Sequence, residues 1–293
     1  MVGKQERRYQ RMITVVLALI SLIMVIPLVL LVVASFTSNN EIVLHGYSFF
    51  PKELSLEAYR YIWNERAQVF HAYGITILVT AIGTTIGVMM TLLYAYVLAH
   101  EKFPGKTFLA FYLFFTMLFN GGLVPTYIMY TRYLHMKNTI PALIIPGLLM
   151  SAFNVILTRT YIQSNVPAAL SEAAKIDGAT EFQVFRKVVL PMCKPIIATV
   201  GLFAGLGYWN DWTNGLYYIT DTNKFSIQQL LNNMIKNIEF LSKNANSNIN
   251  LASVGGGIPQ ETVRMAIAIV GLLPILIVFP FVQKYFVKGI SIG

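Results

Sequence analysis

Six stretches of this chain, at about 12–36, 73–99, 107–131, 140–163, 192–219 and 262–285, are long and apolar enough to cross a bilayer as helices. A spanning helix needs about 20 largely apolar residues at about 1.5 Å each, and inside hydrocarbon it satisfies its own backbone hydrogen bonds. The fold class expected is therefore all-α: a polytopic membrane protein with six transmembrane helices, forming one domain over 1–293. The rest of the sequence agrees. Of its 293 residues 56% are hydrophobic and 12% charged, against about 25% charged in an average soluble domain. Such a chain lacks the polar surface that a water-soluble fold must display.

Charge sets the expected orientation. The first window follows Lys4, Arg7, Arg8 and Arg11 and runs for about 24 residues, longer than the apolar core of a cleaved signal, so it reads as a signal anchor. With the N-terminus cytoplasmic, Lys102, Lys106, Arg159, Lys175, Arg186, Lys187, Lys194, Lys284 and Lys288 also fall inside. That is the bias of the positive-inside rule, with both termini cytoplasmic. It accounts for the net charge of +9 without nucleic acid, because the basic residues are scattered between apolar runs. Cys193 is the single cysteine, and the four histidines form no HExxH pair. Neither disulfide, metal nor redox chemistry is indicated. Gly105-Lys106-Thr107 resembles the end of a phosphate-binding loop, but His100 stands where the first glycine is required.

Two outer segments are long. Within 37–71, Ser55 is placed to cap a short amphipathic helix; within 220–261, Ser226 to Phe240 reads as a helix. The Asn-rich tract around Asn246 and Gly255-Gly256-Gly257 reads as a loop. Gly83/Gly87 and Gly201/Gly205 have the spacing at which small residues let helices approach closely. The third window is interrupted by Phe119-Asn120-Gly121-Gly122-Leu123-Val124-Pro125. Lipid would leave backbone groups unsatisfied there, so the break is expected to face protein or a water-filled path.

Between the fourth and fifth windows lies a polar cytoplasmic stretch, 164–191. Pro167 suits a first helical position, Gly178 a left-handed stop, Thr180 and Gln183 a capping box, and Pro191 a bend on re-entry. A helix–turn–helix elbow follows, and by its residues alone it is either a capped loop or a docking element. Its spacing is more specific. Glu172-Ala173-Ala174, three residues, Gly178, nine residues and Val188-Val189-Leu190-Pro191 resemble the EAA loop of binding-protein-dependent ABC importers, with Val188 for the usual isoleucine. With the Asn120 segment, Tyr208-Trp209-Asn210-Asp211-Trp212 and Tyr285-Phe286-Val287-Lys288-Gly289-Ile290, the chain resembles carbohydrate permeases of the MalG-like class, LplC/YtcP-type branch.

The resemblance implies a transport subunit that is not itself an enzyme, in the bacterial cytoplasmic membrane. Implied partners are a second homologous permease, two ATPase subunits and an extracytoplasmic solute-binding protein. ATP and magnesium would belong to the ATPases, with no cofactor or metal in this chain. Substrates of the branch are oligosaccharides, including complex glycans and acidic ones such as alginate oligosaccharides. Residues implied in ATPase coupling are Glu172, Ala173, Ala174, Asp177, Gly178, Leu190 and Pro191. Small alanines suit a helix laid in a groove.

Candidates for the substrate path are Asn120, Trp209, Asn210, Asp211, Trp212 and Arg264. An acidic group and an amide near a span end are costly unless they meet a cavity, a partner or headgroup water. Trp209 and Trp212, three apart, are expected on one helix face, and Arg264 is placed to pair with Asp211 or attract an anion. Two other classes compete. In an ion-coupled secondary transporter or channel, Asp211 and Arg264 would form the ion site; a membrane-embedded enzyme would need a catalytic cluster that the sequence lacks.

Overall fold

In the computed structural model, residues 4–100, 103–245 and 259–290 are described. Lys102, Asn246 and Gly255–Gly257 lie outside them. The helices in order are α1 (Lys4–Ser35), α2 (Asn39–His45), α3 (Glu57–Asn64), α4 (Arg66–Ala99), α5 (Lys106–Leu118), α6 (Leu123–Ile128), α7 (Pro141–Ile144) and α8 (Ala152–Asn165). Then come α9 (Ala168–Ile176), α10 (Glu181–Val184), α11 (Leu190–Met192), α12 (Lys194–Trp209), α13 (Thr213–Tyr218), α14 (Ile227–Ala245) and α15 (Gln260–Ile290). The described residues contain no strand beyond one isolated bridge, Thr37 to Leu54. The all-α expectation holds.

Among the described residues, three helices are long and apolar enough to cross a membrane unbroken: Arg8–Ser35, Arg66–Ala99 and Gln260–Pro280. Two further pairs qualify when each is taken as one bent span, Lys106–Leu118 with Leu123–Tyr133 at 114° and Glu181–Met192 with Lys194–Trp209 at 81°. The fourth window differs from a plain span. It consists of α7 and the 14-residue α8, separated by 145–151, where Pro146 and Gly147, at φ +72°, interrupt the helix.

The chain divides into two compact units. One comprises 1–67 with 231–274. In it, none of the most apolar stretch of α1 is buried within the chain. Ser35 and Tyr59 share a hydroxyl–hydroxyl bond of 2.8 Å, and Phe36 stacks on Tyr59 at 4.8 Å. α3 forms in the expected segment, but its N-cap is Leu56 and not Ser55, because the Leu56 carbonyl accepts the first helical N–H, from Arg60, at 2.9 Å; Ser55 Oγ, one residue earlier, accepts the Glu57 N–H at 3.2 Å.

The other unit comprises 68–230 with 275–293. Its main core joins Leu92, Ala95 and Leu98 of α4 to Val155, Ile162, Val184, Val189, Cys193, Ile196 and Val200. A second cluster gathers Val79, Ala142, Leu143, Tyr208, Tyr218 and Ile219. The glycine pairs lie where α4 and α12 meet. A Cβ on Gly83 would strike the Tyr208 ring, and one on Gly87 would sit 2.7 Å from the Leu149 carbonyl. Gly201 faces Val88, and Gly205 faces Thr84.

Candidate functional site

The elbow is built by local chemistry. α9 starts after Pro167 and stops at Asp177, where Gly178 takes φ +84°. The Ala179 N–H reaches back to the Ala174 carbonyl at 2.9 Å and the Gly178 N–H to that of Lys175 at 3.0 Å. This pair is a Schellman motif, which consumes carbonyls that a helix end leaves free. Two residues on, the Thr180 N–H donates to Gln183 Oε1 at 2.9 Å and the Gln183 N–H to Thr180 Oγ1 at 3.4 Å, closing the capping box. The helix then widens into a π turn, Phe185–Val189, just before Pro191. A proline has no N–H and its ring crowds the carbonyl four residues back, so one wider turn relieves the ladder.

The two limbs of the elbow are held differently. Val184, Phe185 and Val189 are buried in the main core, whereas α9 buries no residue. Glu172, Ala173, Asp177 and Gly178 are exposed, as are Leu170 at 47%, Ile176 at 86% and, on α10, Phe182 at 65%. Two apolar side chains beside exposed alanines thus face outward from the capped α9, and a third from α10. Leu190 and Pro191 belong to the anchored limb and not to this outer face.

One residue that sequence reasoning missed ties the limbs together. Glu181 Oε2 pairs with Lys175 Nζ at 2.8 Å, while its Oε1 accepts from Tyr96 Oη at 2.8 Å and pairs with His100 Nε2 at 3.0 Å. Desolvation works to raise this carboxyl, but the hydrogen bonds from Lys175 and Tyr96, with the Lys175 and His100 charges, overcome it and hold it below the usual carboxylate range. Nothing local in the sequence marks it, because Tyr96 and His100 come from the far end of α4.

The path candidates separate. α12 ends at Trp209, so Trp209 and Trp212 do not share a helix face as expected. Trp209 is half-buried with its ring 6.3 Å from that of Tyr73, and Trp212 is 44% exposed. The chain turns there because Asp211 Oδ1 accepts the N–H groups of Thr213 at 3.0 Å and Asn214 at 3.2 Å, starting α13. Asn210 is exposed, its amide donating to the Leu206 carbonyl. Arg264 pairs with Glu261 at 3.2 Å and Glu239 at 3.4 Å. The carboxylates that Arg264 meets are thus one three residues away on its own helix and one on α14, where Asp211 was the expected partner. Asn120 Oδ1 accepts the Gly122 N–H at 2.9 Å, with Gly122 at φ +82°, and the whole 119–124 break is exposed in the lone chain.

A cavity with a few polar groups in a largely apolar lining lies elsewhere in the second unit, between α4, the 145–151 break, α8 and α12. Its volume is about 450 Å³, and its lining includes Gly87, Thr91, Ser151, Phe153, Asn154, Phe203 and Gly207. Thr91 is 2% and Asn154 9% exposed, and neither side chain, nor that of Ser151, hydrogen-bonds another described residue. The cavity sits where the chain re-enters α8, whose first N–H groups have no partner within the helix. Buried polar groups are ordinarily satisfied, so these suit water or a hydroxyl-bearing ligand. No sequence signal pointed to Asn154 or Thr91, because their proximity arises from packing across 63 positions of chain.

Comparison with known proteins places this geometry. Residues 83–292 match the family described as binding-protein-dependent transport system inner membrane component. The polygalacturonan/rhamnogalacturonan transport system permease protein YtcP of Bacillus subtilis is 35% identical over 99% of this chain and 98% of its own. Protein LplC of the same organism is 34% identical over 92% and 89%. Among solved structures, a bacterial ABC transporter involved in the import of the acidic polysaccharide alginate matches with a TM-score of 0.76 and 27% identity, covering 98% of this chain and 99% of that one. The chain is similar throughout to sugar permeases of the inner membrane, and it belongs to the binding-protein-dependent transport system inner membrane component family of ABC importers.

Proposed function

We propose that this chain forms half of the translocation path of an ATP-driven oligosaccharide importer and couples to a separate ATPase through α9. The observation that carries this reading is the contrast within the elbow. A helix that buries nothing, yet is capped at its end and presents Ala169, Leu170, Ala173 and Ile176 outward, is built to lie in another protein's groove. Glu172 offers a charge for a basic group on that partner, and Gly178 supplies the turn that aims the helix.

In this reading the chain works with a second permease, two ATPases carrying ATP and magnesium, and a solute-binding protein outside. It has six spans, the three interrupted windows (third, fourth and fifth) counting as spans beside the three unbroken helices, and both termini are cytoplasmic. The exposed break at Asn120–Pro125 meets the partner permease or the path. The cavity at Thr91, Ser151 and Asn154 offers donors and acceptors to sugar hydroxyls, and the N-terminus of α8 favours a carboxylate. Acidic glycans are therefore the proposed substrate class, in keeping with the names of the similar proteins. The ion-coupled alternative draws no support from its own residues, since Asp211 accepts the first two N–H groups of α13 and Arg264 is paired twice.

The test uses the assembled importer in liposomes. Glu172→Lys and Gly178→Val are expected to abolish uptake of oligogalacturonate while leaving membrane insertion intact, because one reverses an interface charge and the other forbids the left-handed turn. Normal uptake in both would reduce α9 to a capped loop. Equal uptake of a neutral malto-oligosaccharide of the same length would remove the acidic substrate class.

A further inference from the structure

We infer that Glu181 is the positioning residue through which movement of α9 is passed to α4, an inference that rests on the coupling role proposed above. One carboxylate joins three segments here. Lys175, in the last turn of α9, holds Oε2 at 2.8 Å. Tyr96, in the last turn of α4, and His100, directly after it, hold Oε1 at 2.8 Å and 3.0 Å. Glu181 itself is the first residue of α10.

The contacts on either side make this a link in a mechanical train. On the side of α9 there is little else. That helix buries no residue, and besides the backbone turn only Ala174 and Ala179 lean on the core. On the side of α4 the attachment is firm. Tyr96 is 6% exposed, its ring lies 5.1 Å from Phe185, and Leu92, Ala95 and Leu98 of the same helix are in the main core. A push on α9 that reaches Glu181 therefore reaches α4, whose Gly87 and Thr91 line the cavity described above.

Stability is a poor explanation for the cluster. The Glu181 side chain is 54% exposed and that of Lys175 41%, and ion pairs so open to water contribute little to folding. Their value lies in fixing relative position: the Lys175 link sets the angle between α9 and α10 across the Gly178 turn, and the Tyr96 link sets α10 against α4. Losing either should leave a folded chain whose two limbs no longer move together.

The experiment reads both limbs in the assembled importer, with Cys193 replaced by Ala and single spin labels at Ser171→Cys on α9 or Met89→Cys on α4. Spectra are compared before and after trapping the ATPases with ADP and vanadate. In the otherwise unaltered chain both labels are expected to respond. In Glu181→Gln, and separately in Tyr96→Phe, the response at 171 should persist while that at 89 is lost, and the double variant should be no worse than the stronger single. Responses at both positions in these variants would overturn the inference. So would a lower yield of assembled complex with an unchanged response at 89, which would make Glu181 a structural anchor only. Lys175→Met, which leaves the α4 contacts in place, keeps the test alive if Glu181→Gln fails to assemble: its response at 89 should fall, and an unchanged one counts against the inference. Absence of any response at 171 in the unaltered importer would instead defeat the coupling reading beneath it.

Discussion

The third and fourth apolar windows are both broken in mid-course, yet their breaks are completed in opposite ways. At 145–151 the freed carbonyls find partners inside the chain: Tyr208 Oη donates to Ile144 at 2.9 Å, Asn214 Nδ2 to Pro146 at 2.9 Å, and Gly87 lets the Leu149 carbonyl approach α4. At 119–125 the bonds are only those of near neighbours in sequence, Asn120 Oδ1 accepting the Gly122 N–H at 2.9 Å and Thr126 Oγ1 donating to the Gly122 carbonyl at 2.7 Å, and Phe119, Leu123 and Val124 remain 50–66% exposed. In a medium without water each unmet polar group costs several kcal/mol. One break is thus a finished internal joint, and the other depends on whatever covers it.

The largest effect should come from obstructing the internal joint. Gly87→Val places a side chain against a backbone carbonyl that has no room to retreat, and is expected to cost about 2–4 kcal/mol, read as a fall in melting temperature of the detergent-solubilised chain. Next comes Tyr208→Phe, which strips the Ile144 carbonyl of its donor in a buried site and should cost about 1–3 kcal/mol. If it proves neutral, water or another group must already serve that carbonyl. The exposed break should behave in reverse. Asn120→Ala is expected to shift the melting of the isolated chain by no more than about 0.5 kcal/mol while lowering uptake by the assembled importer. A destabilised lone chain with normal uptake would erase the distinction between the two breaks.

The smallest effect belongs to the elbow, a third joint held by charge. The Glu181 carboxyl titrates below its usual range when folded, so its contribution is whole at neutral pH and drains away as pH falls through the folded value. Glu181→Gln should therefore narrow the difference in melting temperature between pH 7 and pH 4, without changing the uppermost value greatly. An unchanged difference would mean that water, and not Lys175 and Tyr96, sets the charge at this joint.

What could be read before folding was whatever depends on neighbours in sequence. Thr180 with Gln183, the stop at Gly178 and the disturbance ahead of Pro191 were legible because caps, left-handed turns and missing N–H groups act within about one helical turn. The glycine pairs were legible as close-approach sites, though not that Gly83 would meet Tyr208. The reading failed where one residue redirected the chain: Trp209 and Trp212 looked like one face only while Asp211 was not yet known to end one helix and begin the next. Arg264 was assigned to Asp211 on charge alone, whereas its ion pairs are with Glu261 and Glu239. Asn154, Thr91 and Glu181 carried no signal at all, being ordinary polar residues in a helix until packing supplied their surroundings.

By itself, then, the sequence determined the solvent of this protein, its helical class, its family and the shape of the elbow. Hydrophobicity, backbone conformation and capping are properties of short stretches and survive in any context. The tertiary structure alone decided which break is sealed, which polar groups share a cavity, and which carboxylate joins α9 to α4. Those depend on side chains brought together from distant positions, such as Tyr96 and Glu181, 85 residues apart, and no local pattern encodes that meeting.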